Sequence, residues 1–406
     1  MRNWVSSMRS VRDVFYIGHG PSSSHTIGPY NATKYILEKY PKSLQIDVIL
    51  LGSLASTGKG HLTDYIIDQL LKDVPHRISF NARRKAKHPN TMIFEITLLN
   101  GKKVKETIVS IGGGVIEVNG LKDNKEKELY PHHTLQEILN YCAKYGYRLE
   151  EYVLYHEGED VLTYIDSIIT AIKEAIERGI KAEGDLPGEL HVKRKAKAMY
   201  QNMLKEHKEN DVPTNVAISS FAVSEENAAG GLIVVAPTCG SAGVLPGVLK
   251  YLEMKNVPYE RIRNGFLVAG LIGMLAKTNA SISGAEAGCQ AEIGVACAMG
   301  AALIATALDY QNQEIAQSAE VALEHSLGLT CDPVNGYVQI PCIERCAIFA
   351  LKAINAAAIV SILPKEANKI NFDESLMTMY LTGKDLRVGY RETAKKGLAK
   401  VMKKKN

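Results

Sequence analysis

The chain lacks any stretch that reads as an export signal. Met1 to Arg12 carries charge but no apolar segment of the kind a signal peptide needs. The longest apolar run, Ile293 to Leu308, falls short of a membrane span and is dominated by Ala and Gly. It is expected to be a helix buried on all sides. The 7 cysteines include no CxxC pair. Without an export signal they are expected to be reduced, so metal binding or catalysis fits them better than a disulfide framework, in a cytoplasmic protein. No internal repeat stands out. Aromatic residues are absent among the C-terminal lysines Lys395, Lys396, Lys400, Lys403, Lys404 and Lys405. That run therefore reads as a solvated tail, and neither a nucleic-acid nor a membrane partner is expected.

What is present is an ordinary globular composition: 406 residues, 46% hydrophobic and 23% charged, with net charge +4. Two or three domains fit in that length. From Asp13 to Gly120, helical and strand patterns alternate. Helices are expected at Ile27 to Tyr40 and Leu62 to Leu71, and strands at Leu44 to Leu51, Met92 to Leu99 and Val104 to Ile111. Asn100-Gly101 between the last two is a strong hairpin signal. After a charged stretch with helical segments at Thr134 to Tyr145 and Asp160 to Arg178, almost every segment reads as helix. The expected organisation is multi-domain: an N-terminal α+β domain (1–150), a helical connecting segment (151–190) and a C-terminal all-α catalytic domain (191–406). Ala and Gly at helical spacing let helices approach closely there, with Gly-rich joints at Gly230-Gly231, Gly240, Gly284 and Gly288 expected to be turns.

Three constellations carry chemistry. In the first, Gly18 to Pro29, three serines, a threonine and two imidazoles precede a helix start. Hydroxyls and free amides at such a position suit a carboxylate, although a single serine there would be an ordinary N-cap. The second, Gly52 to His61, superficially suggests a phosphate loop but lacks the required glycine spacing with Lys followed by Ser or Thr. It reads as a flexible, hydroxyl-rich turn delivering Lys59 and His61 to a helix start, where His61 is either a proton acceptor or a surface histidine. The third is the set Cys289, Cys331 and Cys342, each beside a Gly or Pro turn. Three such thiolates argue against a structural zinc site and suit a 4Fe–4S cluster with one iron left open. Cys142 and Cys297 read as surface or packing thiols.

Together the segments GPSSSHTIGP, GSLASTGKGH, EENAAGG, APT, NASISGAEAGCQAEIG, GLTCDPVNG, IPCIERCA and YRETAKKGLA resemble the iron–sulfur-dependent L-serine dehydratases (L-serine ammonia-lyases) in their single-chain form. The resemblance spans nearly the whole chain. It implies an N-terminal domain related to the substrate-binding domain of some phosphoglycerate dehydrogenases, a homodimer, and an oxygen-sensitive 4Fe–4S cluster held by Cys289, Cys331 and Cys342. It also implies a small amino-acid substrate, and conversion of L-serine to pyruvate and ammonia without pyridoxal phosphate. His61 is then the base. Ser22, Ser23, Ser24, His25, Thr26, Ser53, Lys59, Asn279 and Ser281 are expected to bind substrate, whereas His19 is expected to be dispensable. The chain departs from the family pattern in lacking a C-terminal cysteine that caps the open iron, in Cys346 where Asn is expected, and in Cys239. A fourth-ligand role for Cys346 stays open. So do action on L-threonine or L-cysteine, and the alternatives of a non-catalytic amino-acid sensor or a zinc-binding structural protein.

Overall fold

In the computed structural model, which describes residues 8–120, 128–364 and 369–402, the alternating pattern of the first hundred residues becomes a five-stranded sheet. Lys403, Lys404 and Lys405 of the basic tail lie outside the described residues. A short strand, β1 (Tyr16–His19), leads through a wide turn (Ser23–Ile27) into α1 (Gly28–Lys39). Then come β2 (Ser43–Leu51), α2 (Gly52–Thr57), α3 (Thr63–Leu71), β3 (His76–Asn81), β4 (Thr91–Leu98), β5 (Lys103–Gly112) and β6 (Val115–Val118). The sheet order is β3-β2-β4-β5-β6, with β2 and β3 parallel and the other pairs antiparallel. Ile46, Val48 and Leu50 alternate inward along β2 and meet Met92, Phe94 and Ile96 of β4 beneath α1 and α3. At Asn100-Gly101 the hairpin turns as its sequence requires: Gly101 adopts φ 76° and Asn100 Oδ1 accepts the Lys102 N–H at 3.0 Å.

The helical part runs through α4 (Leu135–Tyr145), α5 (Leu149–Glu157), α6 (Asp160–Lys181), α7 (Ala196–Lys205) and α8 (Val212–Ala228) to a short strand β7 (Leu232–Val235). It continues with α9 (Val244–Met254), α10 (Tyr259–Asn279), α11 (Gly284–Ala287), α12 (Val295–Ala307), α13 (Asn312–Glu324), α14 (Cys342–Val360), α15 (Phe372–Asp385) and α16 (Gly397–Met402). Every residue of α12 is buried, enclosed by α9, α10, α13 and α14. The apolar run Gln290–Ala307 is 94% buried inside the protein, as expected of a central core helix.

Packing runs across the boundaries expected near residues 150 and 190. Thr134 caps α4 through a reciprocal pair with Glu137, and α4 and α5 pack into the helical core through Leu135, Ile138 and Tyr152. The supposed connector contains α6, whose Ile165, Ile168, Ile169 and Ile172 form one buried stripe in the same core. Val11 and Phe15 join it from the N-terminus. Strand β1 pairs antiparallel with β7, Tyr16 opposite Val235, so the first residues are stitched to the helical body. Strand β3, in which Ile78 and Phe80 alternate with polar residues, and the short β1, β6 and β7 are additional to the strands expected from sequence.

The segment expected as a flexible turn, Gly52 to His61, opens with helix α2, in which the Ser56 and Thr57 hydroxyls bond back to the carbonyls four residues earlier. Among the Gly-rich joints, Gly284 is a buried helix start rather than an exposed turn.

Candidate active site

The N-terminal loop and the helical body meet at a cavity whose walls carry the first and third constellations. Gly20 passes over the end of α8 so closely that a Cβ would lie 2.2 Å from the Asn227 carbonyl oxygen, which fixes the loop against the helical body. The four hydroxyls divide their labour. Ser22 caps the turn, its Oγ accepting the His25 N–H at 3.2 Å. Ser23 Oγ donates to Cys239 Sγ at 3.4 Å and accepts the Cys239 N–H at 3.1 Å. Ser24 Oγ lies 2.8 Å from His25 Nδ1. Thr26 Oγ1 donates to the main-chain oxygen of His61 at 2.6 Å and accepts the Ser22 N–H. Ser22, Ser23, Ser24 and His61 line the cavity. Ser22 thus satisfies the bland reading of an N-cap, and Ser23 and Ser24 are the surplus.

His61 is 0% exposed to bulk solvent. Its Nδ1 lies 3.1 Å from the Thr57 carbonyl, an acceptor, so Nδ1 carries the proton and Nε2 presents a lone pair. Nε2 has no hydrogen-bond partner; Glu392 Oε1 is 4.0 Å away. Burial pulls the His61 pKa down to about 4, only partly offset by the Thr57 contact. The imidazole is therefore neutral near pH 7. His25 packs against it, ring centroids 4.6 Å apart, and is also held well below its ordinary value, by burial and then by His61. His25 Nε2 contacts Ser53 Oγ at 2.9 Å. His25, Thr26 and Ser53 thus support the wall rather than form it.

On the opposite wall, Cys289 caps the wide helical turn Gln290–Gly294 that leads into α12, Cys331 lies in an extended loop, and Cys342 is the first residue of α14. Their exposures are 2%, 4% and 8%, and all three line the cavity. Cys289 Sγ, Cys331 Sγ and a Glu292 carboxylate oxygen lie within 4.8 Å of one another, an arrangement able to hold a metal. The Cys331 thiol donates to Glu292 Oε2 at 3.8 Å, and its interaction with the neighbouring Cys289 lowers the Cys289 pKa and raises that of Cys331. Arg345, three residues after Cys342 on the first turn of α14, donates through Nη1 to the Thr330 carbonyl at 2.9 Å and places its charge near Cys289. It supplies a cation beside thiolates that burial would otherwise disfavour. Cys346 points elsewhere, its Sγ donating to the Gly240 carbonyl at 3.4 Å, and it does not line the cavity. Cys239 does line it, with a thiol that burial pushes up to about 12.

Beyond His25, Thr26 and Ser53, three further expected substrate residues are not among those lining the cavity. Lys59 is exposed with its ammonium over the Phe80 ring. Asn279 donates to the His133 carbonyl at 2.6 Å, and Ser281 Oγ donates to Glu286 at 2.6 Å while capping Ser283 N–H. The lysine follows α2 outward, and the other two are consumed by the bend between α10 and α11. Glu292, Ser283 and Glu392, by contrast, line the cavity without having been singled out from sequence. Glu292 stands three residues beyond Cys289, a spacing that a helical turn brings to one side. Glu392 sits far along the chain in YRETAKKGLA, a segment that carries the family resemblance but in which no site residue was expected.

Comparison with known proteins agrees with this arrangement. Residues 82–399 match the family described as serine dehydratase alpha chain, and residues 10–71 match the serine dehydratase beta chain. The chain is 39% identical to an L-serine dehydratase of Haemophilus influenzae, over 97% of this chain and 99% of that protein. It is 39% identical, with the same coverage, to the L-serine dehydratase TdcG of Escherichia coli. A Streptomyces coelicolor L-serine dehydratase is 36% identical over 96% of this chain and 98% of the relative. With both regions joined in one polypeptide around a shared cavity, the chain belongs to the serine dehydratase family.

Proposed function

We propose that the protein is an iron–sulfur L-serine dehydratase that converts L-serine to pyruvate and ammonia. The observation that carries this reading is a neutral, buried His61 whose unpartnered Nε2 shares a cavity with the buried thiols of Cys289, Cys331 and Cys342. The donor set fits a 4Fe–4S cluster: three soft sulfur ligands and an adjacent guanidinium, while Cys239, which also lines the cavity, is engaged by Ser23 and Cys346 is turned to the Gly240 carbonyl. Cys289, Cys331 and Cys342 would hold it. When bound, the cluster supplies a Lewis-acidic iron for the hydroxyl that must leave.

The chain's own groups account for the remainder. Ser23 and Ser24, with main-chain amides of the turn before α1, receive the substrate carboxylate. His61 Nε2 takes the α-proton, its ring held by the Thr57 carbonyl and braced by His25. Loss of that proton and of the β-hydroxyl as water leaves aminoacrylate, which tautomerises and hydrolyses to pyruvate and ammonia. The same reading carries a homodimer in the cytoplasm, measurable by sedimentation and fractionation. The decisive experiment is to prepare the protein without oxygen and measure iron, sulfide and pyruvate from L-serine, with 2-oxobutyrate from L-threonine as comparison. Protein that is fully loaded with iron and sulfide yet forms no pyruvate overturns the reading.

A further inference from the structure

An α-amino acid entering this cavity brings an ammonium as well as a carboxylate and a hydroxyl. A buried ammonium needs an anionic partner, since an unpaired charge away from water is heavily penalised. Two carboxylates line the cavity, Glu292 and Glu392. Glu292 lies among the sulfurs, 3.8 Å from Cys331 Sγ, and belongs to the metal end. Glu392 lies beside the base, its Oε1 4.0 Å from His61 Nε2. The ammonium nitrogen is bonded to the carbon whose proton His61 must reach, so its partner has to stand next to that base. Glu392 is the carboxylate so placed.

Its position is built by the fold. The segment around it pairs with the Cys331 loop: Cys331 N–H donates to the Tyr390 carbonyl at 2.9 Å, and Glu392 N–H to the Cys331 carbonyl at 2.8 Å. Downstream, the Leu398 N–H donates to Asp332 at 2.7 Å. Between these anchors Glu392 and Ala394 adopt φ 52° and 51°, left-handed values that side-chain-bearing residues rarely take and that cluster at functional sites. The Glu392 side chain lines the cavity and keeps 15% exposure, so its oxygens are open to a ligand. Burial, then the nearby Glu292, raise its carboxyl well above the ordinary range, and an arriving ammonium favours the ionised form.

We infer that Glu392 binds the α-ammonium of the substrate and thereby selects amino acids over hydroxy acids. The inference rests on the proposed dehydratase reading. The test compares full-length, anaerobically prepared wild type and Glu392→Gln, using ligands with and without an ammonium. In the variant, KM for L-serine is expected to rise ~100-fold, the loss of one charge-assisted contact, with kcat within tenfold and iron content unchanged. The inhibition or dissociation constant of L-alanine should weaken by a similar factor, and that of 3-hydroxypropanoate, which has no ammonium, should stay within threefold. Equal weakening of both ligands, or an unchanged KM with a displaced pH profile, would show that Glu392 serves His61 or the fold and overturns the inference. If Glu392→Gln loses iron, Glu392→Asp carries the same comparison. Direct titration of the two ligands needs no turnover, so a wild type that makes no pyruvate defeats the dehydratase reading while the ligand pair still decides the role of Glu392.

Discussion

The Thr26 hydroxyl donates to the main-chain carbonyl of His61 at 2.6 Å, tying the serine-rich loop to the backbone of the proposed base. The same oxygen accepts the Ser22 N–H, so one side chain sets the distance between substrate-binding loop and base. Thr26→Val removes both contacts and leaves a buried carbonyl and amide unsatisfied, at about 1–3 kcal/mol each. A drop in kcat/KM of at least tenfold is expected, and Thr26→Ser should restore most of it. Steady-state assay of both variants checks this; wild-type activity in Thr26→Val would show the tie to be dispensable.

Replacing His61 itself tests the base. His61→Ala should lower pyruvate formation by ~10³-fold or more while leaving iron content near the wild-type level, because neither ring nitrogen is hydrogen-bonded to a cysteine. Turnover surviving within tenfold would place the base elsewhere.

Acid should loosen the fold through the same residue. His61 has a folded pKa of about 4 against roughly 6.5 in an unfolded chain. Between those values the unfolded chain holds a proton that the folded one refuses, so stability is full above pH 6.5 and falls as pH drops towards 4. The contribution is about 3 kcal/mol across that window, and His25 acts in the same direction. Urea denaturation from pH 4 to 7 should show this slope, and His61→Asn should flatten it. A variant with an unchanged slope would mean that other groups govern acid stability.

The cysteines should separate cleanly. Cys289→Ala, Cys331→Ala and Cys342→Ala are each expected to abolish the brown chromophore and most bound iron. Cys346→Ala should retain both, since its sulfur is turned to the Gly240 carbonyl. Anaerobic iron assay with visible absorbance decides, and loss of iron in Cys346→Ala would make it a ligand.

Close helix packing offers a fifth test. A Cβ on Gly247 of α9 would lie 2.4 Å from Ser220 Oγ on α8 and 2.8 Å from Ala350 Cβ on α14. Gly247→Ala should therefore destabilise by about 1–3 kcal/mol through overpacking, read as a lower denaturation midpoint. An unchanged midpoint would show that the three helices can part at little cost.

Local chemistry was enough to reveal much of this protein. Periodicity placed α1, α3, β2, β4 and β5 within a few residues, because an amphipathic pattern is forced by one buried face. Asn100-Gly101 announced its turn, since φ above zero there is easiest for glycine. Hydroxyl density picked out Ser22 to Ser24, and turn placement picked out Cys289, Cys331 and Cys342. The sequence alone also showed α12 to be a core helix.

What it could not decide depended on contacts between distant segments. Strand β1 is a strand only because β7 supplies its hydrogen bonds more than two hundred residues away. Lys59 and Ser281 carry suitable chemistry, yet the path of α2 and the bend after α10 point or engage them elsewhere. Glu392 was not expected as a site residue, and backbone pairing with the Cys331 loop alone brings it beside His61. Residue type and spacing determine which groups are available; burial and long-range hydrogen bonding determine which of them face the same few ångströms of space.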